Sequence, residues 1–355
     1  MSLNKRIGII PVFVSHMGCP NDCTFCNQKK INGVSDAIQP DQLIRHVETY
    51  LSTMKRDQVE LAFFGGSFTG IDTKRQIEYL KIAKELKEKQ IIQRIRISTR
   101  PDYIDDTIIE RLNRYTVDVV ELGCQSFHQK VLDLSKRGHS VSDIYQAVDL
   151  LKRASIKVGI QLMVGLPGDD EEKFQYAVDQ TITLDPFCIR VYPALVIKDT
   201  ELEQMYNEGD YRPLSLDEAI RLTAMAVKKF EKQKLNVIRV GLQKTDLIDI
   251  GASVIAGPFH PAFGEMVWSR IFADGILERL KDMTVEDECI LYVHPKRRSI
   301  AVGQNKSNLQ LFCSVQSDAI TASNLRKIKI VEDEKVDLNE VRIESKQNII
   351  TFSII

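Results

Sequence analysis

The chain has 355 residues, 43% hydrophobic and 27% charged, with a formal net charge of -1. That length buries one large core, with room for a small satellite domain. The near-neutral balance excludes a global pull toward nucleic acid or membrane, so any such affinity has to come from a local patch, and no apolar stretch reaches membrane-spanning length.

The chain opens on Lys5-Arg6 and the apolar run 7–14. This superficially resembles a signal peptide, but it is short, is interrupted by Pro11 and is followed by no small-residue cleavage site. A buried first strand and a cytoplasmic protein are expected. Seven cysteines make an odd count with no secretory context, which fits disulfides poorly.

Directly after that strand come Cys19, Cys23 and Cys26, in the run Gly18-Cys-Pro-Asn-Asp-Cys-Thr-Phe-Cys. Pro20, Asn21 and Asp22 suit a turn that folds the sulfurs inward. A [4Fe–4S] cube takes one protein sulfur per iron, so three thiolates leave one iron open. A structural zinc site would want a fourth Cys or His at ligand spacing, and the nearby His16 sits at the end of an apolar run.

From residue 9 to about 240 short apolar runs alternate with longer amphipathic ones, the pattern of a parallel β/α fold. The runs are 9–14, 59–64, 95–98, 117–123, 158–164, 188–192 and 237–240. They are β-branched and continuous, as in strands covered on both faces. Between them, Ile144, Ala147, Val148 and Leu151 fall on one helical face. Ser215 with Glu218 forms a capping box that opens a helix burying Ile220, Ala224 and Val227.

The unusual residues follow the strand ends: the cysteine loop, Gly65-Gly66-Ser67-Phe68, Thr99-Arg100-Pro101-Asp102, Gly123-Cys124-Gln125-Ser126-Phe127, Gly165-Leu166-Pro167-Gly168 and Tyr192-Pro193. In a TIM-like β/α barrel the carboxyl ends of the strands share one rim, and that rim carries the site. The expected fold is therefore α/β, a partial (β/α)6 barrel over 1–241.

Beyond it, 242–276 reads as a capping or linking segment, with 243–275 punctuated like a long ordered loop. Residues 277–355 read as a small α+β domain. Its strands are expected at 289–293, 299–302, 328–331, 341–344 and 349–354, with a turn at 294–298.

These residues together resemble the radical S-adenosylmethionine (SAM) superfamily. The resemblance rests on Cys19-x3-Cys23-x2-Cys26 with Phe25 before the third cysteine, on Gly65-Gly66-Ser67, and on the glycine-proline turn after the fifth strand. Within the superfamily the chain is most similar to the radical domain of the Elongator catalytic-subunit family. That similarity is carried by Gly65-Gly66-Ser-Phe-Thr-Gly, Thr99-Arg100-Pro101-Asp102-Tyr103, Gln125-Ser126-Phe127, Lys136-Arg137-Gly138-His139-Ser140 and Val191-Tyr-Pro-Ala-Leu-Val-Ile-Lys-Asp-Thr200. Oxygen-independent coproporphyrinogen dehydrogenases share fewer of these pieces. Two departures stand out: the Elongator family spaces its first two cysteines further apart, and it carries a carboxy-terminal acetyltransferase domain. The stretch after Leu277 is expected to be too short for such a domain. No convincing coenzyme A loop is found, and Gly303-Gln304-Asn305-Lys306 is a weak match.

The resemblance implies a [4Fe–4S] cluster on Cys19, Cys23 and Cys26, SAM on its open iron, and release of a 5'-deoxyadenosyl radical after electron delivery by a donor protein. It implies cofactor contacts from Phe25, Gly65, Gly66, Ser67, Ser98, Gln125 and Arg137. Gly65 and Gly66 let backbone approach the methionine amine, Ser67 serves through its carbonyl, and Arg137 offers a fork for the carboxylate. Ser98 stands where the coproporphyrinogen enzymes have glutamate. Gln161, a polar group on the fifth strand facing the barrel, is satisfied either by ribose or by a neighbouring strand residue.

Cys124, Cys188, Cys289 and Cys313 are scattered and read as buried thiols rather than a second cluster. His260 reads as a loop histidine. The basic turn Lys296-Arg297-Arg298 with Lys306 is by default a solvated charge cluster; its functional reading is phosphate contact with RNA, a tRNA base then being the substrate. Two further functions remain compatible with these residues. One is a radical enzyme on a small molecule or tetrapyrrole, and the second is a non-catalytic, cluster-containing module that interacts with RNA.

Overall fold

The computed structural model describes residues 7–14, 19, 23–27, 38–242, 253–281, 288–314, 327–345 and 349–355. Contacts divide the chain into two compact units: Met1–Leu216 with Leu235–Phe259, and Asp217–Lys234 with His260–Ile355.

The strands of the first unit are β1 (Ile7–Phe13), β2 (Gln58–Phe64), β3 (Arg94–Thr99), β4 (Val119–Gln125), β5 (Lys157–Val164), β6 (Cys188–Pro193), β7 (Val196–Ile197), β8 (Val237–Val240) and β9 (Val254–Ala256). All except β7 and β9 form one curled, parallel half-barrel sheet in chain order. Helices α1 (Leu43–Thr53), α2 (Thr73–Glu88), α3 (Asp106–Arg114), α4 (Gln129–Leu134), α5 (Val141–Arg153) and α6 (Glu171–Thr183) fall between those strands, and α7 (Glu201–Glu208) follows β7. Ile144, Ala147, Val148 and Leu151 are all buried on α5, as their spacing requires. Burial of Ile144, Val148 and Leu151 contributes about 1.5–3 kcal/mol each.

Helix starts are fixed by local chemistry. Asp72, Asp105, Ser140, Asp170 and Thr200 each accept backbone N–H bonds from the first turn that follows, satisfying donors the helix leaves open. Because every such helix follows a rim loop, capping also fixes where the loop ends.

The second unit holds α8 (Leu216–Lys232, from Asp217 on), α9 (Phe263–Lys281) and a mixed sheet of β10 (Glu288–Val293), β11 (Lys327–Glu332), β12 (Glu340–Ser345) and β13 (Ile349–Ser353) in the order β11-β10-β12-β13. Strands β10 and β11 are parallel, and the others pair antiparallel. Ile220, Ala224 and Val227 are buried on α8.

Three expectations are corrected. Residues 299–302, expected as a strand, belong to α10 (Arg298–Val302), which α11 (Ser307–Ser314) follows. A short apolar run has no decisive period, and Pro295, with His294 Nδ1 accepting from Lys296 N at 3.1 Å, starts a helical turn. The loop expected through 275 contains α9, whose Phe263, Val267 and Ile271 are buried at helical spacing; Pro261, Gly264 and Gly275 mask that period. A boundary at 276/277 accordingly falls inside α9, and residues 254–256 of the expected linker instead pair with β7 in the first unit. Residues 243–252 lie outside the described residues.

Candidate active site

Cys23 is 4% exposed, while Cys19 and Cys26 are half-buried. The described part of their loop is fastened by backbone bonds: Thr24 N donates to Ser135 O at 3.2 Å, Leu202 N to Thr24 O at 2.8 Å and Cys26 N to Cys23 O at 2.9 Å. Between the second and third cysteines, Phe25 packs against two clusters, one with Val131, Met163 and Leu166, the other with Val196, Leu202 and Tyr211. The aromatic is thus an anchor that presents the cysteines on either side of it. Residues 15–18 and 20–22 lie outside the described residues.

Arg137 reaches this loop from the segment after α4. Its Nη1 donates to Cys23 Sγ at 3.1 Å, its Nη2 to Gly123 O at 2.8 Å, and its guanidinium lies 6.0 Å from the Phe25 ring centre. The fork expected for a cofactor carboxylate therefore spans a thiol and a strand end. Ser67, buried, directs its hydroxyl at Cys19 Sγ across 3.9 Å. Its carbonyl, expected to be the useful group, accepts the Gly70 N–H at 3.0 Å. Gly65, at φ 87°, makes the turn a side chain would strain, and Gly66 follows it, half-buried.

At the end of β4 the chain breaks register between Leu122 and Gln125. Ser126 N donates to Cys124 O at 2.8 Å around Gln125 at φ 66°, a left-handed position costing about 1–3 kcal/mol for a residue with a side chain. The turn brings Gln125 Oε1 to Gln161 Nε2 at 3.2 Å, so Gln161 has a strand neighbour as its partner. A Cβ on Gly123 would stand 2.9 Å from Gln125 Nε2 and 3.4 Å from Arg137 Nη2. Glycine at that position lets both polar side chains lie close to the strand.

Ser98 stands beside Glu121, in register on the neighbouring strand. Its hydroxyl donates to Glu121 Oε2 at 3.4 Å, joining a buried ionic floor on the same face of the sheet. There Arg96 Nε meets Glu60 Oε1 at 2.7 Å, Arg96 Nη1 pairs with Glu121, and Arg190 Nε meets Glu121 Oε2 at 3.1 Å. Burial works against the Arg96 charge, but Glu121 and Glu60 outweigh it and its pKa is raised. Glu60, Glu121 and Arg190 are each the only charge of an apolar strand and Arg96 shares β3 with Arg94, so no local motif singles them out.

Two more groups take part in the site's electrostatics with no role assigned to them from the sequence. Arg100, 2% exposed, is held by Asp102 through Nε–Oδ1 and Nη2–Oδ2 bonds of 2.9 Å each. His139 is buried and its pKa falls to about 3, through burial first and then the Arg137 and Arg100 cations. Both lie in motifs that carry the family likeness.

Burial pushes the Cys124 thiol up to about 12. Burial and Glu121 push Cys188 up to about 11. Both stay protonated at neutral pH. Among the described residues, no three His, Cys, Asp or Glu side chains converge as chelators of one metal ion; a four-iron cube instead takes thiolates spread over separate irons. Three cysteines around one aromatic anchor, with cationic donors behind them, fit such a cube.

The Radical SAM superfamily model matches residues 14–180, and a radical SAM C-terminal domain model matches 186–272. The chain belongs to the radical SAM superfamily, and it is a radical SAM enzyme. That family implies a [4Fe–4S] cluster and SAM. Among curated relatives, a tRNA uridine(34) acetyltransferase of Methanocaldococcus jannaschii is 29% identical over 76% of this chain and 56% of its own length. An uncharacterized protein of the same organism is 30% identical over 61% of this chain and 70% of its own. The solved structure of Methanocaldococcus infernus Elp3 with an N-terminal deletion aligns with TM-score 0.62 and 26% identity, covering 76% of this radical SAM chain and 63% of that one. The chain thus spans little more than half the length of the acetyltransferase it matches.

Elsewhere, His260 Nδ1 accepts from Ala262 N at 3.1 Å, just before α9, a structural task. Arg297 lies 4.2 Å over Trp268 and donates to Leu338 O at 3.2 Å, so its charge is committed within the second unit. Lys296, Arg298 and Lys306 are exposed. Arg298 is 3.4 Å from Glu332. Arg298 and Lys306 line a cleft of about 910 Å³ with Arg270, Asn305 and Ser307. No helix among the described residues is long and apolar enough to cross a membrane.

Proposed function

We propose that Cys19, Cys23 and Cys26 hold a [4Fe–4S] cluster whose open iron takes SAM, and that the enzyme acts on a base of tRNA. When bound and reduced, this pair supplies a 5'-deoxyadenosyl radical. The observation that carries the reading is the Arg137 bridge: one guanidinium joins the Cys23 thiol, the Gly123 carbonyl and the Phe25 face. It places the cysteine loop beside the end of β4, where Gln125 and Gln161 present amide groups suited to ribose hydroxyls.

This chain's own residues then bind, orient and exclude water. Arg137 donates to Cys23 Sγ and fixes the direction of that side chain. Phe25, seated among apolar residues, keeps water from the sulfurs on either side. The Gln125 turn holds its amide in one orientation, so hydroxyl recognition needs no reorganisation at the moment of reaction. An electron-donor protein completes the system.

The tRNA assignment rests on the similarity to tRNA uridine(34) acetyltransferases and on the exposed cations of the second unit. With Arg297 engaged on Trp268, the phosphate contacts fall to Lys296, Arg298 and Lys306. Binding of bulk tRNA across a salt series tests this. Replacing the three cations by Ala is expected to weaken binding and flatten the salt slope. Unchanged binding and slope remove the patch, and 5'-deoxyadenosine formation that tRNA does not stimulate removes the substrate class.

A further inference from the structure

A guanidinium has five N–H donors in a fixed plane. In Arg100, Asp102 takes the Nε edge and one Nη2 donor at 2.9 Å each, which fixes the direction of the rest. The side chain is 2% exposed and rests against Tyr103, with 5.6 Å from its carbon to the ring centre. Nη1 is buried and has no hydrogen-bond partner among the described residues. Leaving such a donor unsatisfied costs about 1–3 kcal/mol, and more for a charged group. Solvent does not reach it, and the carboxylate that neutralises the charge lies on the opposite edge.

Arg100 directly follows the last residue of β3, on the rim that carries the cysteine loop. It feels the charges of Cys23 and Cys19 as well as that of Asp102, and neighbouring Tyr103 also feels Cys19. Arg137 approaches Cys23 with a nitrogen already on its sulfur, at 3.1 Å. Arg137 thus holds a thiol directly, and Arg100, on the same rim, keeps Nη1 without a hydrogen-bond partner among the described residues.

We propose that Arg100, clamped by Asp102, donates from Nη1 to a sulfur of the cluster and so sets the cluster's reduction potential. This rests on the reading of Cys19, Cys23 and Cys26 as cluster ligands. Reduction adds one electron to the cluster, and a donor to sulfur stabilises the more negative state more than the oxidised one. Arg100 therefore makes the cluster easier to reduce. Asp102 acts only through Arg100 and is a positioning residue.

The test is an anaerobic, dye-mediated titration with dithionite, followed by electron paramagnetic resonance, on reconstituted protein without SAM. Arg100→Gln is expected to lower the reduction equilibrium about tenfold, a shift of about 60 mV to more negative potential for a one-electron couple. Arg100→Lys keeps the charge but loses the fork, and is expected to give about threefold, about 30 mV. If Arg100→Gln takes up no iron, Arg100→Lys decides; if neither loads, Asp102→Asn is judged for a shift of the same sign. A loaded variant with the wild-type potential overturns the proposal. So does one whose potential is unchanged while SAM binds more weakly, because Nη1 then serves the cofactor. A wild-type protein that takes up no four-iron cluster overturns the cluster reading itself, and Arg100's role with it, an outcome distinct from either.

Discussion

The half-barrel uses arginine in two ways. On the floor, Arg96 lies between Glu60 and Glu121, and Arg190 leans on Glu121; acid answers base, each charge facing an opposite one. At the rim, Arg137 puts one nitrogen on a thiol and another on a strand-end carbonyl, while Arg100 is neutralised on one edge and keeps Nη1 in reserve on the other. The floor holds the sheet together and the rim is set up for something the protein binds. Burial alone does not separate them, since Arg96 and Arg100 are 5% and 2% exposed. The chemistry of the partner does.

The largest effect expected is at the rim. Cys23→Ala removes the thiol that Arg137 engages and is expected to abolish iron uptake and 5'-deoxyadenosine formation while lowering the stability of the apo-protein only by the cost of the stranded Arg137 donor, about 1–3 kcal/mol. A larger fall would make the cysteine loop part of the scaffold and erase the contrast. On the floor the balance shifts to stability. Arg96→Met strands Glu60 and Glu121 in the sheet interior and should cost about 3–5 kcal/mol in urea unfolding, as for other buried pairs that lose one partner. A change below about 1 kcal/mol, in the range of exposed pairs, would show that these charges do not depend on one another.

Gly123→Ala probes the border between the two. The added Cβ, 2.9 Å from Gln125 Nε2, is expected to push that amide aside at a cost below about 1 kcal/mol, and to weaken SAM binding more than iron uptake. Equal losses in iron and SAM would mean that Gly123 serves only the fold.

The last effect is a slope in pH. Asp169, in the turn after β5, accepts from Gly165 N at 3.1 Å, and burial raises its pKa to about 7. The folded protein keeps that proton up to about pH 7, whereas the unfolded chain releases it near the ordinary value of 3.8. Stability from this group is therefore full below pH 3.8 and lost as pH rises toward 7. Buried His139 acts in the opposite sense: its pKa is depressed from 6.5 to about 3, so its contribution is present above 6.5 and lost as pH falls. Asp169→Asn removes only the first slope, so its stability relative to wild type should grow from pH 4 to pH 8 in urea titrations. A constant difference would contradict the buried carboxyl.

The same division explains what is legible in the sequence. Strands are readable because β-branched runs such as 59–64 and 158–164 are continuous, and α5 because Ile144, Ala147, Val148 and Leu151 repeat at helical spacing. Rim loops are readable because glycine, proline and cysteine interrupt those runs. Side-chain direction is not. Gln161 turns to Gln125 and Ser98 to Glu121 because each is decided by the strand beside it, which no local pattern encodes. Glu60, Arg96, Glu121 and Arg190 carry no sequence signal of their own, because a charge in an apolar strand has no meaning until its partner is known. In the second unit, Arg297 looks like its neighbours Lys296 and Arg298 until Trp268, from another helix, takes its charge out of the patch.

The most direct measurement is 5'-deoxyadenosine formed from SAM by anaerobically reconstituted protein in the presence of dithionite, beside a Cys26→Ala control. The rim arrangement predicts product from the wild type, with about four irons per chain, and none from the control. A fully loaded wild type that forms no more product than the control would contradict it.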